Sequence, residues 1–209
     1  MRELLVGRDF FGVHPWATLE ECKVESVKRK VEEELRSKLL ANPAAGVGEI
    51  GLDRLKVRDI PPLMREVFES QLALALELRR PVVLHGAKCW GQVVATIRKL
   101  TTHNSQLTNF LFHGFSRSDG LIPEIVELNG FISVGPAVLN DHAVNYRELV
   151  KKIPLDRLLV ETDAVVGARV PTRPHIRDVL AKTADILNLS VAELERITDE
   201  NADRFLGIV

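Results

Sequence analysis

The chain has 209 residues, 45% of them hydrophobic, and its 28 Lys or Arg against 29 Asp or Glu give a formal net charge of −1. This composition excludes a disordered chain, the length predicts one domain over residues 1–209, and no apolar run approaches the roughly 20 residues of a membrane span. Because no signal peptide is visible after Met1 and only two cysteines occur, Cys22 and Cys89, we expect a cytoplasmic protein without a membrane partner.

Short apolar runs alternate with longer segments of helical periodicity along the chain. Runs this short and this apolar are typical of parallel strands that are covered on both faces. Six runs are strand candidates: Phe10–His14, Ala45–Ile50, Pro81–His85, Asn109–His113, Phe131–Gly135 and Leu158–Thr162. Their regular alternation with helices predicts a fold of parallel β/α units.

The helices between these strands carry recognisable end signals. Thr18 with Glu21 predicts a capping box at the start of the first helix, and Ser190 with Glu193 predicts one at the start of the last helix. Gly130 is expected to end the fourth helix, because glycine is a common residue at helix carboxyl ends.

Side chains that bind metals occur at or near the ends of the predicted strands. Glu49 lies near the end of the second strand, His85 and His113 end the third and fourth, and Asp163 follows the sixth; His14 ends the first. Because the strands of a parallel barrel end at one face, we expect these residues to converge. Imidazoles and carboxylates suit zinc, manganese or magnesium. A single His at a strand end is more often structural, so this pattern alone leaves both readings open.

Five motifs then occur in a fixed order: GVHPW at 12–16, GEIGLD at 48–53, PVVLH at 81–85, FHGF at 112–115 and ETD at 161–163. Together they resemble the TatD-type metal-dependent DNases of the amidohydrolase superfamily, over nearly the whole chain. The resemblance implies an α/β fold like the (β/α)₈ TIM barrel. It also implies divalent-metal-dependent removal of nucleotides from DNA ends, with one or two Mg, Mn or Zn ions per chain.

The resemblance implies roles for individual residues. Glu49 would bridge two metals, His85 and His113 would bind one of them, and Asp163 would bind the other or serve as the general base. Glu49 and Asp163 are therefore the residues expected to carry catalysis. Glu161 would lie behind the metal ligands.

The chain departs from the family pattern at its start. The family opens with a strand carrying His-x-His, two ligands of the first metal, and residues 1–9 contain no histidine. A complete barrel needs about 250 residues, so we expect about six β/α units, incomplete at the N-terminus. The open edges would tend to pair with another copy of the chain. A gene model that starts too late is the favoured explanation, and pairing with a partner or a barrel that stays open are the alternatives. A one-metal site remains plausible.

Four residues are candidates for substrate binding. Lys88 follows the position where many family members carry a phosphate-binding Arg, or else it is a solvent-facing loop lysine. Arg117 belongs to a set of basic loop residues that would suit a phosphodiester, although loops are polar in any case. Trp16 would stack on a base or form a pocket wall, and His14 resembles the family's His-Pro pair.

Three functions remain open from the sequence. The first is a hydrolase that acts on DNA or on another phosphodiester. The second is hydrolysis of a different ester, an amide or a lactone, because barrels of this superfamily keep a site and vary their loops. The third is a degenerate barrel with little activity.

Overall fold

Residues 9–19, 24–102, 108–163 and 175–208 are described in the computed structural model of the protein. They contain a six-stranded parallel sheet in which each strand pairs with its neighbours in sequence, in the order β1-β2-β3-β4-β5-β6. The strands are β1 (Phe10–Phe11), β2 (Gly46–Asp53), β3 (Val82–Ala87), β4 (Phe110–Phe112), β5 (Gly130–Val134) and β6 (Leu158–Val160). This is the strand order of a TIM barrel, and the predicted six β/α units are confirmed.

Helices connect the strands and cover the sheet. They are α1 (Val24–Ala41), α2 (Pro62–Glu77), α3 (Trp90–Thr101), α4 (Ile122–Glu127), α5 (Val144–Val150), α6 (Ile176–Leu187) and α7 (Val191–Leu206). A 3₁₀ turn, Pro15–Leu19, follows β1. Within the described ranges, none of the helices is long and apolar enough to cross a bilayer.

The strand side chains are buried on both faces of the sheet, which explains their continuous apolar runs. Alternate residues such as Leu84 and Phe112 belong to the main core formed with the surrounding helices. Leu159 and Phe131 face the opposite way and pack with Phe205 of α7, whose ring centroid lies 5.9 Å from that of Phe131. Helix α7 therefore covers the sheet face that the other helices leave open.

The first strand is shorter than predicted. It ends at Phe11 rather than His14, because a side chain replaces the strand ladder beyond this point. Gln71, buried in α2, accepts a hydrogen bond from the Val13 N–H at 2.6 Å and donates one to the Val13 carbonyl at 3.2 Å. This amide fixes the backbone immediately before His14.

Two of the three predicted helix-end signals are wrong in the described structure. Thr18 lies inside the 3₁₀ turn and donates to the Pro15 carbonyl at 2.6 Å; its predicted capping partner, Glu21, lies outside the described residues. Gly130 begins β5 instead of ending α4, and a Cβ there would lie 2.5 Å from the Ile125 Cγ2. Close packing of α4 on β5 therefore explains this glycine.

The third signal, at the start of α7, is confirmed for Ser190, but the described residues show no return bond from the Ser190 N–H to the Glu193 side chain that would complete the capping box. Ser190 stands immediately before α7, and its hydroxyl accepts a hydrogen bond from the Glu193 N–H at 3.2 Å. The side chain thus satisfies a backbone donor that has no partner within the helix.

Candidate metal centre

The carboxylate of Glu49 lies among three histidines. Its Oε2 is 3.8 Å from His14 Nε2 and 3.8 Å from His85 Nδ1, and its Oε1 is 3.8 Å from His113 Nε2. Glu49 lies within β2, which runs to Asp53 instead of ending at Ile50 as predicted. His85 lies in β3, and His113 directly follows β4. The carboxyl edge of the parallel sheet thus brings together residues from distant parts of the sequence.

Three of these side chains are spaced suitably for one metal ion. His14, Glu49 and His85 each offer a ligand atom, and the three atoms all lie within 4.8 Å of one another. Two ligand atoms about 2.1 Å from a tetrahedral zinc ion lie about 3.4 Å apart, close to the observed 3.8 Å. Two imidazole nitrogens and a carboxylate oxygen fit a borderline divalent cation. His14, predicted to bind substrate, therefore lies in the position of a candidate ligand.

Asp53 holds His85 from behind. The Asp53 Oδ2 lies 2.8 Å from His85 Nε2, so neutral His85 carries its proton on Nε2 and presents Nδ1 to Glu49. Burial opposes ionisation of Asp53, but hydrogen bonds from the Leu55 N–H, His85 and Trp16 outweigh it and hold its pKa below the ordinary value. Asp53 is the last residue of GEIGLD and was not among the predicted site residues.

Glu161 holds His113 in the opposite orientation. Its Oε2 lies 2.7 Å from His113 Nδ1 and accepts a hydrogen bond from the Ser133 hydroxyl at 2.7 Å. Its Oε1 accepts one from the Gly114 N–H at 2.9 Å. His113 consequently directs Nε2 towards Glu49, and Glu161 lies on the opposite side of the ring; its role behind a metal ligand stays a prediction.

Asp163 meets the cluster through His113. Its Oδ1 is 3.4 Å from His113 Nε2, while 66% of its side chain remains exposed to solvent. Burial lowers the pKa of His113, but hydrogen bonds with Asp163 and Glu161 and the charges of Glu161 and Glu49 raise it to about 11 overall. The hydrogen bond with His113 lowers the pKa of Asp163. In the metal-free protein the two groups form an imidazolium–carboxylate pair.

The carboxylate at the centre of the cluster is also ionised. Burial raises the pKa of Glu49, but its hydrogen bond with His85 and the nearby charge of His113 outweigh burial and lower the pKa overall. A metal ligand must be deprotonated, so Glu49 is ready to bind a cation whereas His113 must first lose a proton.

The other three predicted substrate residues differ in their relation to the cluster. Trp16 lies against it, with ring centroids 5.1 Å from His14 and 6.4 Å from His85. Lys88 and Arg117 are exposed in turns after β3 and β4, each with a φ of 58°. In the part of the chain that the structure describes, neither makes an ion pair or a side-chain hydrogen bond, so their roles stay predictions.

The chain is similar to one known protein family over nearly all of its residues. The profile of a family described as TatD related DNase matches residues 8–207. The uncharacterized metal-dependent hydrolase YcfH of Escherichia coli is 29% identical over 220 residues, covering 100% of this chain and 78% of that protein. The 3'-5' ssDNA/RNA exonuclease TatD of Klebsiella pneumoniae is 30% identical over 173 residues, 78% of this chain and 65% of that protein.

The chain is shorter than its relatives and shares the fold of solved structures. The uncharacterized metal-dependent hydrolase YabD of Bacillus subtilis is 30% identical, and this chain spans 65% of its length, slightly less than two thirds. The crystal structure of YJJV, a TatD homolog from Escherichia coli, matches with a TM-score of 0.77 and 27% identity, covering 96% of this chain and 76% of that one. The profile match over residues 8–207, together with this shared fold, shows that the chain belongs to the TatD-related DNase family.

Proposed function

We propose that this protein is a divalent-metal-dependent hydrolase that cleaves phosphodiester bonds at the ends of DNA. The observation that supports the proposal most strongly is the convergence of His14, Glu49, His85 and His113 at one edge of the sheet, with Asp163 beside them. The relative named as a 3'-5' ssDNA/RNA exonuclease favours a single-stranded nucleic acid as the substrate.

The donor set favours a single strongly held cation. His14, Glu49 and His85 would hold it, and His113 would join them after losing its proton. When bound, such a cation supplies an electrophile that polarises a phosphoryl oxygen and lowers the pKa of a water molecule. Asp53 and Glu161 would keep the two ring orientations fixed, which sustains metal affinity.

Asp163 would act as the general base. Its exposed carboxylate stays ionised beside His113 and is free to accept a hydrogen bond from the attacking water. As the new P–O bond forms, the proton of this water passes to the Asp163 carboxylate. The bond from phosphorus to the bridging ester oxygen breaks, and that oxygen keeps the electron pair and takes up a proton from solvent, which frees the terminal nucleotide.

The test is nucleotide release from end-labelled single-stranded DNA, after chelator treatment and with Mg²⁺, Mn²⁺ or Zn²⁺ added back. We expect release to require metal and to fall by about 10²–10⁴-fold in Asp163→Asn. The matched control is Asp185→Asn, which changes an exposed carboxylate of α6 that pairs with Lys182 at 3.6 Å and should leave release unchanged.

Two results would contradict parts of this proposal. Release that needs no metal, or that is equal in wild type and Asp163→Asn, would exclude the assigned chemistry. Absence of release from DNA, together with metal-dependent hydrolysis of a lactone or another ester, would exclude DNA and retain the hydrolase.

A further inference from the structure

An exposed tryptophan borders the metal centre. Trp16 is 41% exposed. The other large hydrophobic residues that are exposed within the described ranges are all aliphatic. The Trp16 ring lies nearly perpendicular to the rings of His14 and His85, with interplanar angles of 79° and 72°. A flat apolar surface therefore adjoins an otherwise polar site.

This ring is held in a fixed orientation. The indole N–H donates to the Asp53 Oδ2 at 2.7 Å, the same oxygen that binds His85 Nε2 at 2.8 Å. The Asp53 side chain is fully buried, so it cannot move freely with the indole. A ring that is already ordered loses little conformational freedom when a ligand stacks on it.

A lysine side chain lies over the ring. The Lys56 Nζ lies 3.8 Å from the centroid of the Trp16 ring, and no ion pair of Lys56 is found in residues 9–19, 24–102, 108–163 and 175–208. An aromatic surface stacks on a nucleobase irrespective of its identity, and an ammonium group attracts a phosphate. Because the ammonium covers one face of the indole, a nucleobase must stack on the opposite face or displace the ammonium towards the attached phosphate. In either arrangement the pair contacts both chemical parts of a nucleotide.

We propose that Trp16 and Lys56 form a nucleotide-binding subsite beside the metal centre, in which a nucleobase stacks on the indole and the ammonium contacts the attached phosphate. The subsite deepens the proposed function and rests on it, because it names the part of the substrate that lies next to the metal. It selects a single-stranded end, since a base within a duplex must first leave its stack.

Binding of two small ligands tests the subsite. Thymidine 5'-monophosphate and 2-deoxyribose 5-phosphate carry the same phosphate, and the second lacks the base. In chelator, so that metal does not contribute, we expect the nucleotide to bind wild-type protein about 5- to 100-fold more tightly. Trp16→Leu should abolish this difference and Trp16→Phe should retain part of it, as measured by titration calorimetry.

The indole gives a second readout. Trp90, the other tryptophan, is buried in the core, so the fluorescence of a Trp90→Phe variant reports Trp16 alone; the nucleotide should quench it and the sugar phosphate should not. Lys56→Met should weaken the binding of both ligands by a similar factor and reduce the salt dependence of that binding. Lys30→Met, an exposed position of α1, is the matched control and should change neither.

The outcomes separate the subsite from the proposed function. Equal affinity for the two ligands, no detectable nucleotide binding, or a preference that survives Trp16→Leu would overturn the subsite, even in an enzyme that degrades DNA. A Trp16-dependent preference in a protein that releases no nucleotide from DNA would support the subsite and overturn the proposed function.

Discussion

Two carboxylates orient two candidate ligands through opposite ring nitrogens. Asp53 binds His85 at Nε2, and Glu161 binds His113 at Nδ1. The nitrogens that remain, His85 Nδ1 and His113 Nε2, both face Glu49 at 3.8 Å. Such hydrogen bonds fix the tautomer and direction of a ligand ring, so each carboxylate should affect metal binding without contacting the metal.

Asp53→Asn tests this role. The variant removes the charge behind His85. Both carboxylate oxygens accept hydrogen bonds, Oδ1 from the Leu55 N–H and Oδ2 from Trp16 and His85, and an amide has only one accepting oxygen, so one of these two sets is lost. We expect affinity for Zn²⁺ to fall by about 10–100-fold, measured by competition with a chromophoric chelator. The control is Asp59→Asn in the exposed loop after β2, and equal affinities for the two variants would contradict the role.

The pKa of His113 predicts a dependence of stability on pH. Its pKa in the folded metal-free protein, about 11, lies above the ordinary value of 6.5. The protonated ring therefore stabilises the folded state fully below about pH 6.5, and this stabilisation is lost as the pH rises towards 11. We expect the free energy of unfolding, measured by urea titration in chelator, to fall less between pH 7 and 9 in His113→Gln than in wild type.

The same pKa predicts proton release. Because a ligating imidazole must be neutral, Zn²⁺ binding should release a proton from His113 at neutral pH, seen as a calorimetric enthalpy that varies with the ionisation enthalpy of the buffer. An equal change of the free energy of unfolding between pH 7 and 9 in wild type and His113→Gln would contradict the assigned ionisation of His113. A Zn²⁺ binding enthalpy that does not depend on the buffer would contradict it as well.

At the scale of elements, β2 and β3 pack so closely that glycine is required. Gly51 has a φ of +150°, and a Cβ there would overlap the carbonyl oxygen of His85. The GEIGLD motif thus contributes three residues with different roles. Glu49 is a candidate ligand, Asp53 orients His85 by a hydrogen bond, and Gly51 allows the close approach of β3. A side chain at position 51 would move the backbone of His85.

Gly51→Ala should destabilise the protein by about 1–3 kcal/mol, as overpacking does, and should weaken metal binding because His85 is displaced. Urea unfolding measures the first effect. Gly91→Ala is the control, since a Cβ at this position of α3 would meet nothing within 4 Å, and alanine favours a helix. Equal stability of the two variants would contradict the packing argument.

The elements also show what the sequence can predict. The six strands were predictable from the apolar runs, because parallel strands covered on both faces lack polar interruptions. The end of β1 could not be predicted in this way, because it depends on Gln71, 58 residues away in sequence from Val13. The candidate ligand position of His14 depends on that amide and on the turn at Pro15–Leu19, which no local pattern indicates.

At the scale of the whole molecule, the described strands form an open sheet. Within the described ranges, β1 pairs with β2 and β6 pairs with β5, and no pairing joins β1 to β6. We propose that these edges mediate self-association, because exposed strand edges bind other strands. Light scattering should give a mass above that of one 23.4 kDa chain, and a monomer would contradict this expectation.

We propose that one cation, held around Glu49, enables hydrolysis. The most direct measurement is nucleotide release from single-stranded DNA while a divalent metal is titrated into the metal-free protein. We predict no release without metal and a rate that reaches its plateau at about one equivalent per chain, as expected for one strongly held catalytic cation. Release without metal, a rate that does not respond to metal at any concentration, or a plateau only at two equivalents per chain would contradict a single catalytic cation.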